Sequence, residues 1–207
     1  MKAQIVPAII SKSVKDFRNK ARKVNGIKLV QVDIMDGKFV NNKTLDVNKI
    51  PKLNGNFEAH LLVKEPWNYV DKLKNKFRLV IFHIEACKDV NYMIKLLRKN
   101  KFKVGIAISP KTKVEKIKPY LNKVDKVLIM TVYPGFYGRK FLLFTMNKVK
   151  KLRKWKKNLD IEVDGGINEK TINKAYKAGA NMFISGSYIF HNSNPKKAIK
   201  ELENFIR

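Results

Sequence analysis

The sequence predicts a (β/α)8 barrel, an α/β fold laid out as one domain over residues 1–207. Three observations carry that expectation. Short and mostly unbroken apolar runs recur along the chain, each followed by a polar break and a stretch with helical spacing; such runs are typical of strands buried on both faces of a parallel sheet. There are eight of them, more than an open doubly wound sheet usually needs. Finally, six of the ten glycines (Gly37, Gly135, Gly138, Gly165, Gly166 and Gly186) fall just after runs two, six, seven and eight. Those are the strand ends at which barrels of this kind carry their chemistry.

The strands are expected over residues 4–10, 29–35, 57–63, 79–84, 104–108, 127–130, 161–163 and 182–185. Helices with recognisable ends lie between them. Ser13 precedes a face made of Val14, Phe17, Ala21 and Val24. Asn168 can cap a helix that places Ile172, Ala175, Tyr176 and Ala178 together and stops at Gly179. Asn194 with Pro195 opens the last helix, whose apolar stripe is Ala198, Ile199, Leu202, Phe205 and Ile206.

The 45 Lys+Arg against 17 Asp+Glu give a formal charge of +28 and a pI near 10.1. Lysine dominates and is spread along almost every helix, whereas a nucleic-acid reader gathers its basic residues on one face and favours arginine. Nucleic acid is therefore expected to bind only nonspecifically, and the surface should attract anionic metabolites. The single cysteine, Cys87, excludes an internal disulfide framework and reads as a small buried hydrophobe. No apolar run approaches the roughly 18 residues of a membrane span, and the N-terminus lacks a signal-peptide pattern, so a cytoplasmic protein is expected.

Two of the strands carry charge. Residues 29–37 present Gln31, Asp33 and Asp36, and residues 161–166 present Asp164, before each breaks into glycine. An unpaired carboxylate in an apolar interior costs several kcal/mol, so the two strands are expected to serve one shared site. Gln31, Asp33, His60 and Asp164 sit near separate strand ends of one barrel mouth, a donor set suited to a divalent metal. Asp164 to Ile167 and Ser185 to Ser187, with Gly135 and Gly138 in the loop of residues 133–138, read as a phosphate cradle. His83 is placed to line the pocket and His191 to be exposed. Asp36 reads as a turn former. Met35 and Met130 end strands two and six, where they either cover a reacting carbon or simply pack.

Together these segments resemble the ribulose-phosphate 3-epimerase family. The matching stretches are Val6-Pro7-Ala8-Ile9-Ile10-Ser11, residues 32–40 (VDIMDGKFV), His60-Leu61-Leu62-Val63, Phe82-His83-Ile84-Glu85-Ala86, residues 130–138 (MTVYPGFYG), Val163-Asp164-Gly165-Gly166-Ile167 and residues 185–190 (SGSYIF), in family order from end to end. The resemblance implies a homo-oligomeric isomerase that inverts C3 of D-ribulose 5-phosphate to give D-xylulose 5-phosphate. It implies Asp33 and Asp164 as the acid/base pair on the two faces of the substrate, and a divalent cation (Zn, Mn, Mg, Fe or Co) that stabilises an enediolate. Met35 and Met130 then cap the reacting centre, Ser11 and His60 contact substrate or metal, and the glycine loops with Ser187 grip the phosphate.

The chain departs from the family pattern at four places. Gln31 stands where a metal-binding histidine is usual, Leu62 and Tyr133 replace a usual Met and Asn, and Tyr137 replaces a usual Gly. An amide oxygen at position 31 favours a cation tolerant of oxygen ligands, such as Mn²⁺ or Mg²⁺. Rival functions are a related 3-epimerase of the allulose 6-phosphate type and a non-catalytic basic barrel that binds nucleic acid. A phosphate-barrel decarboxylase would want a lysine where Ile34-Met35 stands.

Overall fold

The computed structural model describes residues 2–135 and 138–206. Eight parallel strands close into a barrel in sequence order, with β8 paired to β1. They are β1 (Gln4–Ile9), β2 (Val30–Met35), β3 (Phe57–Leu62), β4 (Leu79–His83), β5 (Lys103–Ile108), β6 (Lys126–Met130), β7 (Asp160–Asp164) and β8 (Met182–Ser185). The expected barrel is the observed one, and every strand lies within two residues of its expected bounds.

The crossovers are more economical than eight full helices. α1 (Val14–Lys23), α3 (Val90–Lys99), α4 (Met146–Trp155), α5 (Ile172–Ala178) and α7 (Pro195–Asn204) are regular; α2 (Val70–Leu73) and α6 (Ser187–Phe190) are single turns. After β2 and β5 the chain returns through 3-10 turns, Val47–Lys49 and Val114–Tyr120, the second containing Pro119. Asn, Asp and Pro in these segments favour turns over helix. Ser13 and Asn194 cap α1 and α7 as expected, accepting from the Asp16 and Lys197 amides. Asn168 instead starts a turn: its carbonyl accepts from Thr171 and Ile172, and α5 begins three residues later than the sequence suggested.

Successive strand residues alternate between two environments. Ile5, Ile9, Val32, Ile34, Ala59, Leu61, Val127, Ile129, Val163 and Phe183 join the layer beneath the helices. The other parity faces the barrel axis, where Leu79, Ile81, Ala107, Leu128 and Met130 form one cluster and Val6, Ala8, Met182 and Ile184 another. Gln31, Asp33, Glu58, His60, His83, Lys126, Glu162 and Asp164 share this inward parity. The strands are thus apolar toward the helices but partly polar within, a distinction that unbroken hydrophobic runs concealed.

Lower in the barrel, Lys126 Nζ lies 2.6 Å from Glu58 Oε2 and 3.2 Å from Glu162 Oε1, with all three side chains buried. Burial, with Glu58 alongside, raises the Glu162 pKa well above the usual carboxylate range, while the two carboxylates outweigh burial and raise that of Lys126. Gly105 makes room for the lysine stem: a Cβ there would meet Ile81 Cγ1 at 2.8 Å and Lys126 Cγ at 3.1 Å. Sequence reading did not single out this triad.

Nor are all the lysines solvated ornaments of helix faces. Lys148 Nζ donates to the Ser109, Pro110 and Thr112 carbonyls at 3.0, 2.6 and 2.7 Å, and Lys76 Nζ donates to those of Val47 and Ile50 at 2.6 and 2.9 Å. They satisfy carbonyls that short irregular crossovers leave without ladder partners.

Replacing Lys126 with Met leaves two buried carboxylates uncompensated and should cost about 3–5 kcal/mol in urea denaturation at pH 7. The triple variant Glu58→Leu, Lys126→Met, Glu162→Leu should recover most of that loss; a single variant as stable as the wild type would show that the pairing does not matter.

Candidate active site

One layer above the triad, at the C-terminal end of the barrel, β2, β3 and β7 bring Asp33, His60 and Asp164 together. Two residues along the same strands separate the layers, a rise of about 7 Å. His60 Nδ1 lies 3.1 Å from Asp33 Oδ1 and 3.4 Å from Asp164 Oδ2. Gln31 joins them from β2, its Nε2 donating to Asp33 Oδ1 at 2.8 Å and Asp164 Oδ2 at 2.9 Å, with His60 Nδ1 at 3.4 Å. These contacts use one oxygen of each aspartate.

Burial governs the electrostatics. It raises the Asp33 pKa, and Asp164 adds to that against the bonds from His60 and Gln31. For His60 burial works downward, but the hydrogen bonds and charges of Asp164 and Asp33 prevail and push its pKa up to about 10. The pair of carboxylates thus demands a positive partner, which in the protein alone is the imidazolium.

Asp33 Oδ1, His60 Nδ1 and Asp164 Oδ2 also fit a cation. The three residues offer ligand atoms within 4.8 Å of one another. Ligands 2.0–2.2 Å from a common ion lie about 3–3.5 Å apart, close to the separations seen here. The Gln31 amide completes the set, and its Oε1 is buried without a hydrogen-bond partner. A half-turn of the amide puts that oxygen where Nε2 now stands, an orientation that pays off only if a cation replaces the proton among the carboxylates.

The cleft above these groups is lined by Met35, Leu62, Met130, Val132, Gly135, Gly138, Gly165, Gly166, Gly186 and Ser187, together with Asp33, His60 and Asp164. The structure therefore gathers nearly all the residues expected at the site. Phe136 and Tyr137 of the expected phosphate loop lie outside the described residues. Ser11 is not among the lining: it is buried, and its Oγ donates to Asp16 Oδ2 at 2.7 Å. Packing also dictates part of the glycine pattern. At Gly165 (φ +118°) a Cβ would lie 2.3 Å from Val132 Cγ2, and at Gly166 (φ +67°) 2.9 Å from the Phe141 nitrogen.

His83 does not line the cleft. It is fully buried behind His60, the two Nε2 atoms 3.0 Å apart, and its Nδ1 lies 3.2 Å from Glu85 Oε2. Asp36 shapes its turn, as expected, by accepting from the Lys38 and Phe39 amides, and it also ties in the Lys64 amide at 2.9 Å. His191 is exposed. Cys87 is half-buried, and burial pushes its thiol up to about 12, which keeps it protonated and inert. Two residues to which sequence reading gave no role matter here: Arg139, a cation in the cleft lining, and Glu85. Neither carries a signal by itself, because lysines and arginines abound and Glu85 lies beyond its strand.

Residues 4–190 match the family model described as the ribulose-phosphate 3 epimerase family. The chain belongs to this family. It is 36% identical over 219 residues to ribulose-phosphate 3-epimerase of Schizosaccharomyces pombe, covering 100% of this chain and 95% of that protein. Against the cytoplasmic isoform from Oryza sativa subsp. japonica it is 38% identical over 219 residues, covering 99% and 94%. Family membership makes the protein an isomerase. Among solved structures, KGPDC from Streptococcus mutans superposes with a TM-score of 0.73 at 15% identity, over 100% of this chain and 98% of that one, a likeness of fold alone. Among the described residues no helix is long and apolar enough to cross a membrane.

Glu85 provides a pH test of the site's surroundings. Burial works to raise its pKa, but the bond and charge of His83, with Thr112 and the Ser109 amide, bring it down to about 2. A depressed carboxylate stabilises the fold above its unfolded pKa, near 4.5, and that stabilisation is lost as pH falls toward 2. The stability gap between wild type and Glu85→Gln should therefore narrow by about 2 kcal/mol between pH 6 and pH 3; a gap that stays constant over this range would contradict it.

Proposed function

We propose that the protein is a ketose-phosphate 3-epimerase acting on D-ribulose 5-phosphate, with Asp33 and Asp164 as its two proton-transfer groups. The observation that carries this reading is that two carboxylates from different strands, β2 and β7, meet at the floor of one glycine-rimmed cleft, each with one oxygen tied down and the other left for a ligand. Inverting a carbon next to a carbonyl requires a proton to leave from one face and another to arrive from the opposite face. One carboxylate cannot easily serve both faces.

An ordinary aspartate is a feeble base toward such a carbon acid. Burial of Asp33 raises its pKa and so strengthens it as a base. Met35 and Met130, both nearly inaccessible, flank the carboxylates and exclude water from the reacting carbon. The glycine loops after β6, β7 and β8, with Ser187, offer close backbone approach to the phosphate, and Arg139 adds charge of the right sign. A divalent cation held by Asp33, His60, Asp164 and the turned Gln31 would supply positive charge beside the substrate oxygens, where negative charge develops as the proton leaves. Three oxygen donors and a single imidazole favour Mn²⁺ or Mg²⁺ over Zn²⁺ relative to a site with two imidazoles.

Two measurements test this. Asp33→Asn and Asp164→Asn should each lower kcat for ribulose 5-phosphate at least 100-fold, and wild-type turnover in either would refute the two-base reading. In titration calorimetry of the metal-stripped protein, Gln31→His should raise Zn²⁺ affinity about tenfold relative to Mn²⁺; unchanged affinities, with activity insensitive to chelators, would remove Gln31 from the ligand set.

A further inference from the structure

Behind His60 runs a chain of hydrogen bonds that leaves the site and ends on another loop. Glu85 Oε1 accepts from the Ser109 amide at 2.8 Å and from the Thr112 hydroxyl. Lys148 in turn holds the loop carrying both, through the three carbonyls described above. Glu85 Oε2 faces His83 Nδ1 at 3.2 Å, His83 Nε2 faces His60 Nε2 at 3.0 Å, and His60 Nδ1 faces the aspartates. The two imidazoles are stacked, with ring centroids 5.2 Å apart, and Phe39 packs on His83 at 4.9 Å. Both rings are fully buried.

Proton bookkeeping along this chain admits one arrangement. Glu85 is an acceptor only, so His83 must carry its proton on Nδ1. Of the two rings, His60 faces two carboxylates and His83 only one, so the proton they share sits on His60 and the His83 Nε2 is a lone pair. Two nitrogens 3.0 Å apart need one proton between them, and it must then belong to His60 Nε2. What remains to His60 on the cleft side is Nδ1, the atom that faces Asp33 and Asp164.

We infer that Glu85 is a positioning residue for the site, which acts through His83 to fix His60 in the ring orientation and Nε2–H form that present Nδ1 as the ligand atom. The inference rests on the reading of Asp33, His60 and Asp164 as a cation site. Glu85 itself touches neither the ligand atoms nor the cleft. Without it His83 is free to carry its proton on Nε2, which would confront the Nε2–H of His60 and push that ring off its position. The histidine would remain, but its lone pair would no longer be aimed.

The chain holds only three histidines, so imidazole nitrogen NMR of the full-length protein reads each ring, with His191→Asn assigning the exposed one. In the metal-free wild type His83 should be neutral with its proton on Nδ1; a proton on Nε2 overturns the inference without any variant. In Glu85→Ala the His83 proton should redistribute toward Nε2, and Mn²⁺ affinity by calorimetry should drop about 10–100-fold. In Glu85→Gln the amide oxygen stays with the Ser109 amide and the NH2 turns to His83 Nδ1, so the proton should move to Nε2 as in Glu85→Ala and Mn²⁺ affinity should fall with it. A Glu85→Ala protein that retains His83 Nδ1–H, or binds Mn²⁺ within twofold of wild type, refutes it. If the wild type binds no divalent metal, the cation-site reading fails instead, and the His83 proton position still decides whether Glu85 sets the ring.

Discussion

Side chains that point into a closed eight-stranded barrel lose access to water, so every charge placed there needs a partner from another strand, and in this protein the interior is organised by such pairings. Asp33 and Asp164 are brought together by closure of the sheet, which sets β7 and β2 on either side of β8 and β1. Side by side they repel, and the carboxylates are tolerable only because His60 and the Gln31 amide stand between them. One layer down, Lys126 does the same for Glu58 and Glu162. Both layers are small ionic clusters sealed by apolar neighbours, and what separates them functionally is that only the upper one opens on a cleft.

This constraint explains why a cation suits the upper layer. Two carboxylates with one neutral imidazole and one amide have excess negative charge, which a buried proton on His60 relieves and a divalent ion relieves more completely. In the lower layer the lysine already meets this need, with Gly105 giving it space, and no ion is called for. The same electrostatic problem is met once by a lysine ammonium and, in the cation site proposed above, once by groups that can exchange a proton for a ligand.

Much of this was legible in the sequence, and the part that was not has a common cause. Strand positions, the caps at Ser13 and Asn194, and the convergence of Gln31, Asp33, His60 and Asp164 followed from local pattern, because a carboxylate at the end of an apolar strand is unusual wherever it occurs. The Lys126 triad was hidden because its three members come from β3, β6 and β7, and only barrel register shows that they share a layer. His83 looked like a cleft residue since strand-end position says nothing about which shell of the site a ring occupies. The tie of the Ser11 hydroxyl to Asp16 on α1 was likewise not legible from the strand end alone. Gly165 and Gly166 drew attention as a phosphate signal, whereas contacts with Val132 and Phe141 would require glycine there in any case.

Gln31 is where these threads meet. A histidine at this position would bring a second imidazole, with its own stiff ring and aimed lone pair. The amide brings a weaker donor that can face either way: as found, its nitrogen bridges the aspartates, and its oxygen lies buried without a partner. In the cation site proposed above, a ligand set with one flexible member depends more heavily on the rigidity of the rest. Asp33 and Asp164 are fixed by their strands, so the burden falls on His60, whose ring is stacked on His83 and tied through it to Glu85 and the β5 loop. Orientation that a second histidine would have shared is thus concentrated in one hydrogen-bonded chain.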